Sequence, residues 1–266
     1  MKKVSVMLFA LAAFVLVGCS KKIEKGEFTV QKGKYMVGME IGYPPFEYYA
    51  EDGSTPMGFD VQLAAEVAKR LGLEVEYVDT AWDGIFAGLD TDRYDVVMSA
   101  ATITPERLQN YDFSMPYIGN GQAIILKKGS NVKVSKFEDL AGLKVGYQAE
   151  TTSDFYTKKH SAELGFTYVE NAYDKVMNAY DDLRLGRIDA VVSDSLVAVD
   201  YLSSPDTEFV QVWAAEPDEY FGICMKKGNT ELQTKVNAIL EEMKKDGSLK
   251  KIYMDIFNMD LSDSVK

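Results

Sequence analysis

Leu89-Asp-Thr-Asp-Arg-Tyr-Asp-Val-Val-Met-Ser-Ala100 and Leu183-Arg-Leu-Gly-Arg-Ile-Asp-Ala-Val-Val-Ser-Asp194 agree at five of twelve positions. Upstream of each, in the same order, Val37-Gly38-Met39-Glu40 is echoed by Val145-Gly146-Tyr147-Gln148. All four stretches carry short apolar runs that read as buried strands. Two matches in one order predict two lobes built on similar α/β units.

The intervening sequence fits that frame. Strands are predicted at 35–41, 73–78, 94–98, 143–147, 166–170, 188–192, 208–213 and 219–226. Helices alternate with them: Val61, Ala64, Ala65, Ala68 and Leu71 recur at helical spacing before Gly72, and a short helix fits 82–89. Pro105 opens another after the Thr104 cap. Further helices fit 152–163, 174–184, 195–203, 230–245 and 248–257. No Pro/Ser-rich linker separates the two series, which argues against independent beads on a string.

Composition limits the chemistry. The chain has 266 residues, 47% apolar and 26% charged, an ordinary globular balance. A net charge of −12 repels a phosphate backbone, so no nucleic-acid partner is expected. One histidine and two cysteines leave no His/Cys metal cage and no disulfide framework, and no metal or cofactor is expected.

Lys2 and Lys3 precede a fourteen-residue run, Val4 to Val17, in which only Ser5 is polar. Such a helix rises about 21 Å, short of the ~30 Å hydrocarbon core, and reads as a secretory signal. Its end, Leu16-Val17-Gly18-Cys19, resembles the bacterial lipobox, in which the cysteine becomes thioether-linked to diacylglycerol. An ordinary signal peptide or a short anchor is the alternative. Loss of residues 1–18 removes two lysines and takes the charge from −12 to −14. Residues 20 to about 33 read as a solvated tether, and Cys224 as a buried structural thiol.

Open α/β sheets bind ligands beyond the carboxyl ends of their strands. Glu40 and Ala100 occupy those ends in one lobe, Gln148 and Asp194 in the other. After Ala100 the chain runs through a Thr-rich turn, with Thr102 and Thr104, into a helix whose first turn holds Arg107. Exposed amides and a guanidinium there suit a carboxylate, although a capped helix with a surface Arg has the same sequence. Thr151 and Thr152 resemble a second N-cap with amides to offer. Asp194 is either another cap or a counter-charge for an ammonium. Tyr43 and Trp82 supply flat walls or core rings, and Phe46 reads as core. Taken functionally, Arg107, Thr102 and Thr152 face a carboxylate while Asp194 and the Ala100 carbonyl face an ammonium: a zwitterion trap.

Gly58-Phe-Asp-Val61, Ala81-Trp-Asp-Gly-Ile85, Thr102-Ile-Thr-Pro-Glu-Arg107, Phe113-Ser-Met-Pro-Tyr117 and Asp189-Ala-Val-Val-Ser-Asp194 together resemble the bacterial extracellular solute-binding proteins of family 3, polar amino-acid receptors of ABC importers. The resemblance runs from about Lys34 to Phe257. It implies a type II periplasmic-binding-protein fold with a mixed sheet flanked by helices in each lobe. The first lobe would comprise about 34–117 plus 222–266, the second about 122–216, with hinge strands near 117–121 and 217–221.

The resemblance further implies that Arg107 and the Thr102 and Thr152 amides hold an α-carboxylate. Asp194, the Ala100 carbonyl and the Thr102 hydroxyl would hold the α-ammonium, and Tyr43 and Trp82 would sandwich the side chain. Glu40, Gln148 and Ser193 would set specificity, the acid favouring a basic amino acid and the amide a neutral polar one. Glu150 stands where the family commonly has Gly. The expected protein is a monomeric receptor, lipid-anchored through Cys19 on the extracytoplasmic side of the cell membrane, that closes on an amino acid and docks a permease with its ATPase. Two alternatives stay open. One is an enzyme of this fold resembling cyclohexadienyl dehydratase, with Glu150 as its acid; the other is a sensory module for a chemoreceptor or kinase.

Overall fold

In the computed structural model, residues 24–265 are described. The expected signal and the Cys19 lipidation site lie outside them. The first lobe opens with β1 (Lys34–Met39), β2 (Tyr48–Tyr49), β3 (Pro56–Met57), α1 (Phe59–Leu71) and β4 (Glu74–Asp79). It continues through α2 (Ala87–Asp90), β5 (Val96–Val97), α3 (Pro105–Asn110) and β6 (Tyr111–Phe113). After β7 (Ile118–Asn120) come β8 (Gln122–Lys127), β9 (Lys144–Gln148), α4 (Thr152–Leu164), β10 (Val169–Tyr173), α5 (Val176–Arg184), β11 (Ala190–Asp194), α6 (Ser195–Ser203) and β12 (Phe209–Ala214). The chain returns through β13 (Glu219–Phe221) to β14 (Cys224–Lys226), α7 (Thr230–Asp246) and α8 (Ser248–Phe257).

Two five-stranded sheets result, ordered β4-β1-β5-β14-β6 and β10-β9-β11-β8-β12. In each, the strand second from one edge is flanked by two parallel partners, β1 by β4 and β5, β9 by β10 and β11. In each a single strand then runs antiparallel to both its neighbours, β14 between β5 and β6 and β8 between β11 and β12. The internal repeat is therefore topological. It also extends to packing: a Cβ on Gly38 would lie 2.6 Å from the Tyr94 ring, and one on Gly146 would lie 2.5 Å from Ile188. Tyr94 and Ile188 occupy matching positions in the repeat, so each glycine lets an equivalent side chain lie across β1 or β9.

The chain crosses between the sheets twice. The crossing segments β7 and β13 pair antiparallel, Glu219 opposite Asn120 and Phe221 opposite Ile118. This pairing divides the expected strand 219–226. Residues 219–221 bond to β7, and after Gly222 and Ile223 the chain joins β5 and β6 in the first sheet instead. The strand expected at 166–170 begins at Val169, because the left-handed Gly165 closes α4 and the following residues turn the chain back onto β9.

Phe46 is fully buried, within 6 Å of the Phe59, Phe221 and Phe257 ring centroids, and so joins the loop after β1 to α1, β13 and α8. Cys224 is likewise buried and unbridged. The tether expected over residues 20 to 33 packs against the first lobe where it is described. The Val30 amide donates to Asp95, Lys25 pairs with Asp92 at 2.9 Å, and Asn229 donates to the Phe28 carbonyl.

Candidate functional site

The four strand ends named by the repeat meet between the sheets. One cavity, partly open to solvent, is lined by Glu40, Tyr43, Trp82, Ala100, Thr102 and Arg107 from the first lobe and by Gln148, Thr152 and Asp194 from the second. Ser99 and Thr151 complete the lining. Several of these side chains bond to one another across the cavity, which leaves a free volume of about 10 Å³, room for about one water molecule.

At one end stands Arg107, the third residue of α3, whose amide donates to the Thr104 cap oxygen at 3.2 Å. Its guanidinium lies 5.3 Å from the Trp82 ring centroid and 4.8 Å from that of Phe86. Its Nη1 donates to the Thr102 carbonyl at 2.8 Å. Among the described residues no carboxylate comes within 4.0 Å of it. Burial pulls its pKa down, so the charge is held at a desolvation cost. Across the gap, α4 begins with Thr151 as its cap, accepting from the Asp154 amide, and Thr152 in the first turn. The Thr102 and Thr152 hydroxyls approach to 3.5 Å.

Asp194 ends β11 and occupies the cap position of α6, but its side chain makes no capping bond. Instead its carboxylate accepts from the Tyr43 hydroxyl, from Asn120 at 2.7 Å and from Gln122 at 3.0 Å. Burial raises its pKa, while these donors and the Arg107 charge pull the other way. Ala100 sits at φ 46°, which presents its backbone to the cavity; its amide donates to the buried Asp60 carboxylate at 2.7 Å. Such a conformation in a non-glycine residue costs about 1–2 kcal/mol.

At the far end Gln148 donates to Glu40 at 2.6 Å and to the Asp174 carbonyl at 3.0 Å. Glu40 is 3% exposed, and burial raises its pKa. Trp82 donates its indole N–H to the Glu150 carbonyl, 3.0 Å away in the other lobe.

Two residues fall elsewhere. Ser193, adjacent to Asp194 on β11, points to the opposite face of the strand and bonds the Tyr180 hydroxyl at 2.8 Å. Glu150 is exposed and outside the lining. It adopts φ 59°, which accounts for the Gly commonly found at that place.

Several supporting residues escaped the sequence reading. Asn120 and Gln122 flank Gly121 in an otherwise apolar stretch, and two amides in such a place were the available signal. Glu219 on β13 accepts from Gln122 at 2.9 Å and from Thr102 at 3.4 Å; burial and the Asp194 charge push it up to about 7. Beneath the cavity, Ser99 donates to Glu47 at 2.6 Å, and the Tyr117 hydroxyl to Asp60 at 3.1 Å.

A cleft of this construction, closed by two crossing strands, can be compared with known proteins. Residues 35–259 match the family model of the bacterial extracellular solute-binding proteins, family 3. The chain belongs to that family. The L-cystine-binding protein TcyJ of Escherichia coli (strain K12) is 34% identical over 260 residues, 96% of each chain. Among solved structures, an ancestral arginine-binding protein bound to arginine superposes with a TM-score of 0.79 at 41% identity, covering 85% of this chain and 99% of that one. The ancestral amino acid-binding protein AncCDT-1, a precursor of cyclohexadienyl dehydratase, gives 0.76 at 39% identity, with 85% and 95% covered. Family 3 members similar to this chain are thus amino-acid-binding proteins, and the two-lobed α/β architecture is theirs.

Proposed function

We propose that this protein is an extracytoplasmic receptor that takes a free amino acid between its lobes and hands it to an ABC permease with its ATPase. The observation that carries the reading is the pairing of opposite charges across one cavity. Arg107, without a carboxylate partner among the described residues, faces a ligand α-carboxylate together with the Thr102 and Thr152 amides. Asp194, with the Ala100 carbonyl and the Thr102 hydroxyl, faces the α-ammonium. Tyr43 and Trp82 flank the side chain, and Glu40 and Gln148 take its polar tip. The acid favours a ligand bringing a cationic group to that end. Cystine and arginine, for which similar proteins are named, both carry one.

The lobes would be 34–117 plus 222–266 and 122–216, turning about β7 and β13. Each of Arg107 and Asp194 belongs to a different lobe, so one zwitterion bridges both and draws the open–closed equilibrium toward closure. Closure removes water and strengthens each pair. In this reading the cleft performs no chemistry: Glu150, the acid an enzyme of the fold would have used, lies outside it. A lipid on Cys19 would hold the monomeric receptor beside its permease; one acyl chain alone gives marginal binding, and more than one gives a stable anchor. Among the described residues no helix is long and apolar enough to cross a membrane.

A thermal-shift panel of the twenty amino acids with ornithine and cystine, on protein unfolded and refolded to strip carried-over ligand, tests the reading. Ligand at 1,000 times Kd adds about 4.1 kcal/mol of stability. A shift of several degrees with a polar amino acid, returned unchanged, supports it. No response to any amino acid defeats it.

A further inference from the structure

Glu40 does not stand alone at the far end of the cleft. Lys175, half-buried just ahead of α5 in the second lobe, reaches across to the first. A Cβ on Gly42 would lie 3.2 Å from its Nζ and 3.6 Å from its Cδ, so the stem rests on bare backbone directly after Ile41. The ammonium is near enough to favour the charged form of Glu40, while Asp79 and Asp174, facing the same carboxylate, disfavour it. Yet among the described residues the Lys175 ammonium makes no ion pair within 4.0 Å and no hydrogen bond, the residue's one bond being the Asn178 amide donating to its carbonyl. The far end therefore holds an acid already engaged by Gln148 and, packed on Gly42 just behind the cavity lining, a cation with no anion of its own.

A side chain ending in a single positive charge satisfies the acid and is repelled by the lysine. A side chain ending in both an ammonium and a carboxylate satisfies both. Resting on the amino-acid-receptor reading, we propose that Lys175 is a specificity-determining residue that reads a second carboxylate. The preferred ligand is then a diamino dicarboxylic acid, carrying an α-ammonium–α-carboxylate pair at each end, over a singly charged basic amino acid. One pair meets Arg107 and Asp194, the other Lys175 and Glu40.

Calorimetric titration with L-cystine and with L-arginine tests this on the wild type, Lys175→Met and Lys175→Arg. Cystine is expected to bind the wild type at least tenfold more tightly than arginine. Lys175→Met, which keeps the stem, should weaken cystine tenfold or more and leave arginine equal or tighter; Lys175→Arg should restore the cystine preference. Arginine preferred by the wild type, or both ligands weakened in proportion by Lys175→Met, overturns the assignment of Lys175 and leaves the receptor reading standing. Binding of neither ligand, nor of any other amino acid, overturns both.

Discussion

The Tyr43 hydroxyl, on the loop after β1, donates to the Asp194 carboxylate at the end of β11 in the other lobe. That carboxylate also collects the amide donors of Asn120 and Gln122, from the strands at the crossing, so three donors fix it before any ligand arrives. Only one lone-pair direction toward the cavity is needed for an ammonium. Asp194→Asn turns the proposed ammonium anchor into a neutral group and points an amide at other amides. Breaking one side of a buried charge pair costs about 3–5 kcal/mol. The expected result is a loss of amino-acid affinity of a hundredfold or more. Tyr43→Phe keeps the ring wall and removes one charge-assisted bond, about 1.5–3 kcal/mol net, so its loss should be smaller. Calorimetry on the two variants orders them.

In its proposed role the same carboxylate would make binding depend on pH. Burial raises Asp194, and Glu219, next to it through Gln122, is pushed up to about 7. Only the ionised form of Asp194 attracts an ammonium, so affinity should fall as pH falls through its raised pKa, by up to tenfold per unit for one proton. Glu40, also raised by burial, adds in the same direction. Titrations between pH 8 and 5 should show this slope, and Asp194→Asn should flatten it. A wild-type affinity that rises toward acid pH contradicts the role of Asp194.

At the same end of the cavity as Asp194, Arg107→Ala removes the one guanidinium in the lining, with its ring contacts to Trp82 and Phe86. The expected cost is about 3 kcal/mol or more, roughly a hundredfold in affinity. Arg107→Lys keeps the charge but not the planar fork, and should recover only part of it. Binding unchanged by Arg107→Ala removes that residue from the site.

The parts of this site legible in the sequence are those the backbone positions. Glu40, Ala100, Gln148 and Asp194 close strands whose apolar runs and repeat spacing mark their ends, and Arg107 sits one turn past a Thr–Pro start. What sequence did not show depends on tertiary meeting. Glu47 and Asp60 look like surface acids on a turn and at a helix start, and only the folded chain places both under Ser99 and Ala100. Glu219 and Lys175 belong to loops and crossings whose neighbours come from distant segments. Ser193 failed for a simpler reason: in a strand, neighbours face opposite ways, and Asp194 had the cavity.

Asp60 makes a stability test. It is fully buried and accepts from the Ala100 amide and the Tyr117 hydroxyl, yet burial pushes it up to about 7. Glu47, beside it, is also raised by burial and by the Asp60 charge. The unfolded carboxyl ionises near pH 4, the folded one near 7, so the folded state keeps a proton the unfolded state has lost. Its contribution is complete below pH 4 and is lost as pH rises through 7, by up to about 1.4 kcal/mol per unit. Asp60→Asn can accept the same two bonds without titrating. Denaturation midpoints of the variant should decline less between pH 4 and 7 than those of the wild type. Parallel curves would mean that Asp60 is ionised throughout.

Glu150 allows a substitution that separates fold from site. Its φ of 59° strains any residue with a Cβ, while its carbonyl accepts from Trp82 and its amide donates to Asp154 at 3.0 Å. Both bonds are backbone bonds at this position and survive Glu150→Gly. Relief of about 1–2 kcal/mol of strain is partly offset by about 0.4–1 kcal/mol of added freedom in the unfolded chain. A net gain near 0.5–1 kcal/mol should raise the melting temperature by about 2 °C. Because the side chain is exposed and outside the cavity, amino-acid affinity should stay within twofold. A large loss of binding with unchanged stability would instead place the Glu150 carboxylate in contact with ligand.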